Sequence, residues 1–303
     1  MQPVDQPFPG LSGLRVIVTG GTRGIGVGIA QGFLRAGAQV MVCARNEPAA
    51  LPAVDDRTAS FTRADVRDPD QARRLIEAAA EQFGGVDVVI SNAGGSPPAA
   101  AATASPRFHA KVIELNLIAP LHVAQAANAV MQEQPDGGSI IMIGSVSGTR
   151  PSPGTAAYGA AKAGLHHLVT SLAIEWAPKV RVNTVVPGFV TTDAALPHYG
   201  DAGAAAAIAA GVPLGRMATP EDVAGACQFL ASPRASYISG SSLTLHGGGE
   251  PPAFLSAPAP ERKDLSPGRL VTPVGRGGSR WCRAWWWGAH SRPRWPRAGP
   301  RIR

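Results

Sequence analysis

Short runs of aliphatic and β-branched residues alternate along this chain with longer stretches whose apolar residues recur at helical spacing. LRVIVT (14–19), QVMVCARN (39–46), VRVNTVV around Val182 and SSLTL near Leu243 read as buried strands. DQARRLIEAAAEQF (70–83), FHAKVIELNLIAPLHVAQAANAVMQ (108–132) and AAYGAAKAGLHHLVTSLAIEWA (156–177) read as helices. Strands and helices in alternation predict an α/β fold with a doubly wound parallel sheet, built as a single domain. Pro120 falls inside the second helical stretch and is expected to kink it, just after Asn116. Residues 193–212 are rich in Ala and Gly, as expected of a loose helix or a lid.

Two local patterns carry candidate chemistry. After the first strand comes TGGTRGIG (19–26), then the helical pattern VGIAQGFLRAGA. Strand, glycine turn and helix in that order make a phosphate-binding unit, because glycines permit a tight turn and the helix N-terminus favours an anion. The spacing is G-x-x-x-G-x-G, on Gly20, Gly24 and Gly26. The second pattern is Tyr158-Gly-Ala-Ala-Lys162, with Ser145 thirteen residues earlier. A free tyrosine has a pKa of about 10 and is a poor acid-base group at neutral pH. A lysine four residues on lies one helical turn away, and its charge favours the phenolate.

Taken together, these residues resemble the short-chain dehydrogenase/reductase family over roughly residues 12–250. The resemblance runs through TGGTRGIG, Asp65-Val66, SNAG (91–94, with Ser91 where the family has asparagine), Asn116, Ser145, Tyr158, Lys162, Pro187-Gly188, Val190 and Thr192. It implies a Rossmann-type sheet, hydride transfer between a nicotinamide cofactor and a ketone or secondary alcohol, and roles for named residues. Tyr158 would be the general acid or base, and Ser145 would stabilise the substrate oxygen. Lys162 would lower the Tyr158 pKa and hold the nicotinamide ribose, and Asn116 would position a relay water. Gly20, Thr22, Arg23, Gly24, Ile25, Gly26, Arg45, Asp65, Val66, Asn92, Ala93, Gly94, Tyr158, Lys162, Pro187, Gly188, Val190 and Thr192 would line the cofactor. Residues 193–212 would cover the substrate, with Leu196, His198 and Tyr199 as candidate contacts. A homo-oligomer, dimer or tetramer, is also implied.

Charge bears on the choice of cofactor. A dinucleotide fold that prefers NAD usually ends its second strand with an acid that binds the ribose hydroxyls. Here Ala44 and Arg45 stand there, and Arg23 lies inside the glycine turn. Two guanidinium groups suit a 2′-phosphate, which favours NADP(H) over NAD(H). His166 and His167 are adjacent and point in different helix directions. They read as ordinary helix residues, and no metal site is expected.

Composition sets the remaining bounds. The chain has 303 residues and a formal net charge of +7. That charge is unevenly placed. Residues 251–303 hold 11 Lys+Arg against 2 Asp+Glu, a net of +9, so residues 1–250 carry −2. Five of the six tryptophans also lie in this segment. Three domain segments are expected: an N-terminal arm (1–11), a catalytic domain (12–250) and a basic Arg/Pro/Trp-rich tail (251–303) without stable structure, that is, disordered. Nucleic-acid binding, an anionic membrane surface, or sequence with no selected role would each explain the tail. It lacks the ordered motifs of a nucleic-acid module, which favours the last, and no nucleic acid is expected for the core. MQPVDQPFPG lacks a secretory signal pattern, no membrane span is expected, and three cysteines without pairing spacing fit a cytoplasmic protein.

Three functions are consistent with these residues. One is an NADP(H)-dependent reductase or alcohol dehydrogenase acting on a small-molecule carbonyl or alcohol. Another is a 3-oxoacyl-thioester reductase working on an acidic carrier protein, for which Lys179 and Arg181 are the basic residues after the active-site helix. The third is a non-catalytic NADP(H)-binding sensor or scaffold.

Overall fold

The computed structural model describes residues 8–192 and 201–249. Leu196, His198, Tyr199 and the basic tail lie outside the described residues. Contacts divide the chain into a unit of Met1–Ser256 and a second of Ala257–Arg303. All the described strands and helices belong to the first unit.

Among the described residues nine strands form: β1 (Arg15–Thr19), β2 (Gln39–Ala44), β3 (Ala53–Val54), β4 (Arg57–Thr58), β5 (Ser60–Arg63), β6 (Val88–Ser91), β7 (Gly138–Ile143), β8 (Val180–Pro187) and β9 (Ser242–Leu245). Seven of them make one parallel sheet in the order β5-β2-β1-β6-β7-β8-β9, and β3 and β4 form a small antiparallel pair. The chain winds outward from β1 to β5, then returns to place β6 on the other side of β1. That reversal opens a crevice at the carboxyl ends of β1 and β6, the place where such folds bind ligands.

The strands read as unbroken apolar runs because both sheet faces are covered. Val16, Val18, Val40, Val42, Ile90, Ile141 and Val185 pack on one face with Ile29, Phe33 and Leu34 of α1 (Gly24–Arg35) and Val223, Cys227 and Leu230 of the last helix. Leu11 is fully buried in this layer, and Phe8 packs against Phe229 with ring centroids 6.1 Å apart. Ile17, Met41, Val89, Ile140, Met142 and Val182 face the opposite layer. That layer is made by α2 (Pro69–Phe83), α4 (Ala119–Glu133) and α5 (Ala156–Glu175).

Helix boundaries reflect local chemistry. Asp68 caps α2 by accepting from the Asp70 and Gln71 amides, Pro69 opens the helix, and Gly84 closes it at φ 81°. Residues 193–212, read as a loose helix or lid, contain α6 (Ala202–Gly211) in their second half. Helix α7 (Pro220–Ala231) starts with a reciprocal Thr219–Asp222 capping box.

The stretch 108–132 differs from expectation in an informative way. It is helical as α3 (Pro106–Ile113), a π-helical turn (Glu114–Ile118) and α4, and the distortion precedes Pro120. Pro120 has no N–H for the Asn116 carbonyl four residues back, and its ring crowds that carbonyl. The chain answers by widening the preceding turn, so that the Ala119 amide reaches the Glu114 carbonyl.

Packing of α1 on α7 depends on a missing side chain. A Cβ at Gly28 would lie 2.3 Å from Pro220 Cβ and 2.9 Å from its carbonyl carbon, whereas a Cβ at Gly225 would meet nothing within 4 Å. Gly28→Ala is therefore expected to destabilise the protein by about 1–3 kcal/mol through overpacking. Gly225→Ala should stabilise it by about 0.5–1 kcal/mol through helix propensity. Urea unfolding of the two variants checks the pair, and equal effects would contradict the packing.

Candidate active site

The crevice is stapled at its base. Thr19, fully buried at the end of β1, accepts from the Asn92 and Ala93 amides through Oγ1, each at 3.0 Å. The Asn92 Nδ2 group donates back to the Thr19 carbonyl at 2.9 Å and the Gly20 carbonyl at 3.2 Å. Four hydrogen bonds thus lock the ends of β1 and β6 together across the reversal point.

The glycine turn closes tightly on this staple. Gly20 and Gly24 sit at φ +62° and +54°, where side chains are disfavoured. A Cβ at Gly26 would lie 2.3 Å from the Gly20 carbonyl oxygen. Arg23 precedes α1 in extended conformation without a side-chain cap, and the first turn of α1 carries no acid. Its leading amides are left to an anion, so the turn fits a dinucleotide pyrophosphate. Thr22 and Ile25 are half-buried on this turn and Arg23 is exposed. Thr192 lies 3.8 Å from where a Gly24 Cβ would stand. It is brought there by the segment after β8: the Gly188 amide donates to the Leu245 carbonyl at 2.8 Å, and Val190 bridges to Ala218.

Arg45 follows β2 and is exposed, and Asp65 and Val66 follow β5. The Asp65 carboxylate is paired with Arg67, whose guanidinium holds it below the usual carboxylate range, while Val66 is buried. A third arginine was missed in the sequence. Arg63, the last residue of β5, donates from Nε to the Arg45 carbonyl at 2.9 Å. Its only signal was its position at the end of a strand that pairs with β2.

Deeper in the crevice, Gly94 lies against two candidate groups at once. A Cβ there would stand 2.8 Å from Asn116 Oδ1 and 3.5 Å from Lys162 Nζ. Asn116 is fully buried in the π turn. Its Oδ1 accepts from the Gly95 amide at 2.8 Å, and its Nδ2 donates to the Gly95 and Val112 carbonyls, both at 2.9 Å. Lys162 is only 4% exposed and donates to the Ile143 carbonyl at 2.7 Å. Its Nζ is 5.7 Å from the Tyr158 ring centroid. Burial pushes its pKa down to about 8.

Ser145 stands just past β7 in extended conformation. Its Oγ accepts from the Ser147 amide at 3.1 Å, and its own amide donates to His166 Nε2 at 3.4 Å. Asn116, Lys162, Tyr158 and Ser145 are therefore linked through Gly94, Ile143 and α5. A cleft of about 680 Å³ beside the serine turn is lined by Ser147, Arg150, Ser152 and the Ala156–Ala163 edge of α5. Asn116, Tyr158 and Lys162 do not line it, so it is not where the candidate groups meet. Among the described residues, no helix is long and apolar enough to cross a membrane, and no cluster of three His, Cys, Asp or Glu could hold a metal ion.

Comparison with known proteins places the chain in a family. The family described as enoyl-(acyl carrier protein) reductase matches residues 20–250. A 3-oxoacyl-[acyl-carrier-protein] reductase of Chlamydia muridarum is 37% identical over 239 residues, 77% of this chain and 95% of that protein. An L-rhamnose 1-dehydrogenase (NAD(P)(+)) of Azotobacter vinelandii is 36% identical over 243 residues, 77% of this chain and 95% of that protein. A solved 7α-hydroxysteroid dehydrogenase, complexed with NADH and 7-oxo glycochenodeoxycholic acid, superposes with a TM-score of 0.74 at 32% identity. It covers 82% of this chain and 98% of its own. The chain belongs to the short-chain dehydrogenase/reductase family. It is an NAD(P)-dependent oxidoreductase that acts on alcohol or ketone groups of small molecules.

The buried lysine makes a stability prediction. Its folded pKa, about 8, lies below its ordinary value of 10.5. Between those values the unfolded chain holds a proton that the folded chain has released, so stability rises with pH across that window. Compared with Lys162→Met, the cofactor-free protein should gain roughly 2–3 kcal/mol from pH 7.5 to 10.5. Denaturant titrations at both pH values check this, and parallel pH slopes for the two proteins would refute it.

Proposed function

We propose that this protein is an NADP(H)-dependent oxidoreductase that interconverts a ketone and a secondary alcohol. The observation that carries the reading is the Lys162 ammonium, buried between Gly94 and the Ile143 carbonyl beside the Tyr158 ring. A structural role alone would not require a charge to be buried there. When bound, the nicotinamide cofactor supplies the hydride to the substrate carbon, or accepts it in the reverse direction.

The residues of this chain handle the accompanying proton. In reduction, Tyr158 gives its phenolic proton to the carbonyl oxygen as charge develops there; in oxidation it takes the hydroxyl proton. The nearby ammonium of Lys162 favours the phenolate that reduction leaves behind. Ser145 Oγ already accepts the Ser147 amide, which leaves its O–H to donate to the substrate oxygen. The amide side chain of Asn116 is committed to Gly95 and Val112. Its part in a proton relay therefore falls to its backbone carbonyl, which Pro120 denies a helical donor four residues on.

Arg23 and Arg45, with Arg63 on the Arg45 carbonyl, support NADP(H) over NAD(H). Gly20, Gly24, Gly26, Thr22, Ile25, Asn92, Ala93, Gly94, Asp65, Val66, Pro187, Gly188, Val190 and Thr192 complete the proposed cofactor surface. Exposed Ile113, Ile118 and Ile174 on the α3–α5 layer support a homo-oligomer, dimer or tetramer.

The carrier-protein reading draws on the family description and the chlamydial relative. It loses support at its basic residues. Arg181 is turned inward to the Leu230 and Ile238 carbonyls, and Lys179 is bonded to the Gln132 carbonyl.

The full-length protein should oxidise NADPH, with a clear preference over NADH, against a panel of ketones and 3-oxoacyl thioesters. Tyr158→Phe should lower kcat by about 10²–10⁴-fold while leaving NADPH affinity in place. Tight NADPH binding with no turnover on any panel member would favour the sensor reading instead. Arg45→Asp should lower the NADPH/NADH ratio of kcat/KM about tenfold or more through loss of a phosphate contact. Unchanged selectivity in that variant would count against the NADP(H) assignment.

A further inference from the structure

We propose that His166 is a positioning residue, which fixes the direction of Ser145 by accepting its backbone N–H on the bare Nε2 of a neutral, Nδ1-protonated imidazole. The inference rests on the proposed role of Ser145 as the donor to the substrate oxygen.

His166 lies four residues beyond Lys162 and eight beyond Tyr158, so the three form one stripe along α5. Its ring fills the space under the serine turn. A Cβ on Gly144 would lie 2.4 Å from His166 Nε2, and one on Gly148 would lie 2.9 Å from its Cε1. The two glycines of the turn are thus shaped around this ring. Thr184 of β8 closes the same space, its Cγ2 lying 2.8 Å from a Gly144 Cβ.

The hydrogen bond defines the protonation state. An N–H can donate only to a nitrogen that carries no proton, so Nε2 must be bare and the proton must sit on Nδ1. An imidazolium would aim an N–H at the serine amide and add a second cation one turn from Lys162. Burial, and then the Lys162 charge, hold the His166 pKa below its ordinary value. Lys162 is the charged group that bears on it; the serine turn (144–149) and Thr184 contribute no ionisable side chain.

The consequence for Ser145 is geometric. Its amide is fixed from below by His166, and its Oγ is fixed from the side by the Ser147 amide. The hydroxyl proton is the one part of the group left to point at a substrate. An aliphatic residue at position 166 would fill the volume but leave a half-buried amide unpaired, and the serine would lose its lower anchor.

The test uses full-length protein labelled with 15N-histidine. A long-range 1H–15N correlation should show His166 with the proton on Nδ1, and the Nε2–H tautomer would overturn the proposal. With NADPH and the most active ketone of the panel, His166→Leu should lower kcat about tenfold without weakening NADPH binding. His166→Gln, whose Oε1 can accept the same amide, should recover kcat to within about threefold of the parent. Full kcat in the leucine variant, or a glutamine variant no better than a folded leucine variant, would also overturn it. If the leucine variant does not fold, the tautomer and the glutamine variant decide. Full activity in Ser145→Ala would sink the proposed role of the serine itself, an outcome separate from the tautomer reading.

Discussion

Burying an ammonium is the constraint around which the site is arranged. Lys162 gives up most of its hydration, and that penalty is offset only where acceptors are fixed and close. The Ile143 carbonyl at the end of β7 is one such acceptor. Room for the head group comes from Gly94, where any side chain would run into Asn116 and approach Lys162. Room for the backbone comes from small residues on both sides of the contact between the serine turn and α5. A Cβ on Gly148 would stand 2.7 Å from the Lys162 carbonyl carbon, and one on Gly159 2.8 Å from the Ser147 oxygen. The glycines and alanines around Tyr158 and Lys162 are thus more than good helix spacing. They let the serine turn lie close against α5.

The same site lies next to the point where the sheet reverses direction. The Thr19–Asn92 staple ties β1 to β6, and the chain leaving Asn92 reaches Gly94 and Gly95 within three residues. The glycine turn and the buried lysine are therefore joined through a short run of chain. Asn116 completes the coupling by holding both backbone groups of Gly95 from the π turn. The π turn answers to Pro120, so a residue outside the turn shapes the backbone that carries Asn116.

What was legible in the sequence was whatever repeats locally. The glycine turn, the Tyr158–Lys162 spacing and the apolar runs each have a period or a fixed offset, and β1, β2, β8, β9 and the helices α1, α2, α4 and α5 are read from them, whereas β5, β6, β7 and α7 are not. Arg63 was not legible, because its place beside Arg45 is set by pairing of β5 with β2 across a nonlocal register. His166 is hidden in the sequence by its neighbour His167, beside which it reads as one of two ordinary helix residues. Its meaning lies in the four-residue step from Lys162, and in a turn twenty-one residues away in sequence that comes to rest on it. The distortion expected at Pro120 falls one turn earlier, since the ring strains the carbonyl behind it rather than the helix ahead.

Substrate choice is separate from the contacts that assemble this site. The polar contacts that assemble the site run largely to backbone atoms: the carbonyls of Thr19, Gly20, Ile143, Gly95 and Val112, and the amides of Gly95, Ser145 and Ser147. Backbone partners survive changes of side chain, so this machinery can be kept while the surrounding surface diverges. Relatives at 32–37% identity are named for a carrier-bound oxoacyl group, a sugar and a bile acid. Those names differ in substrate although the proteins share one fold, as expected where function is carried by side chains grafted on a common frame. Selectivity must then come from side chains outside this frame.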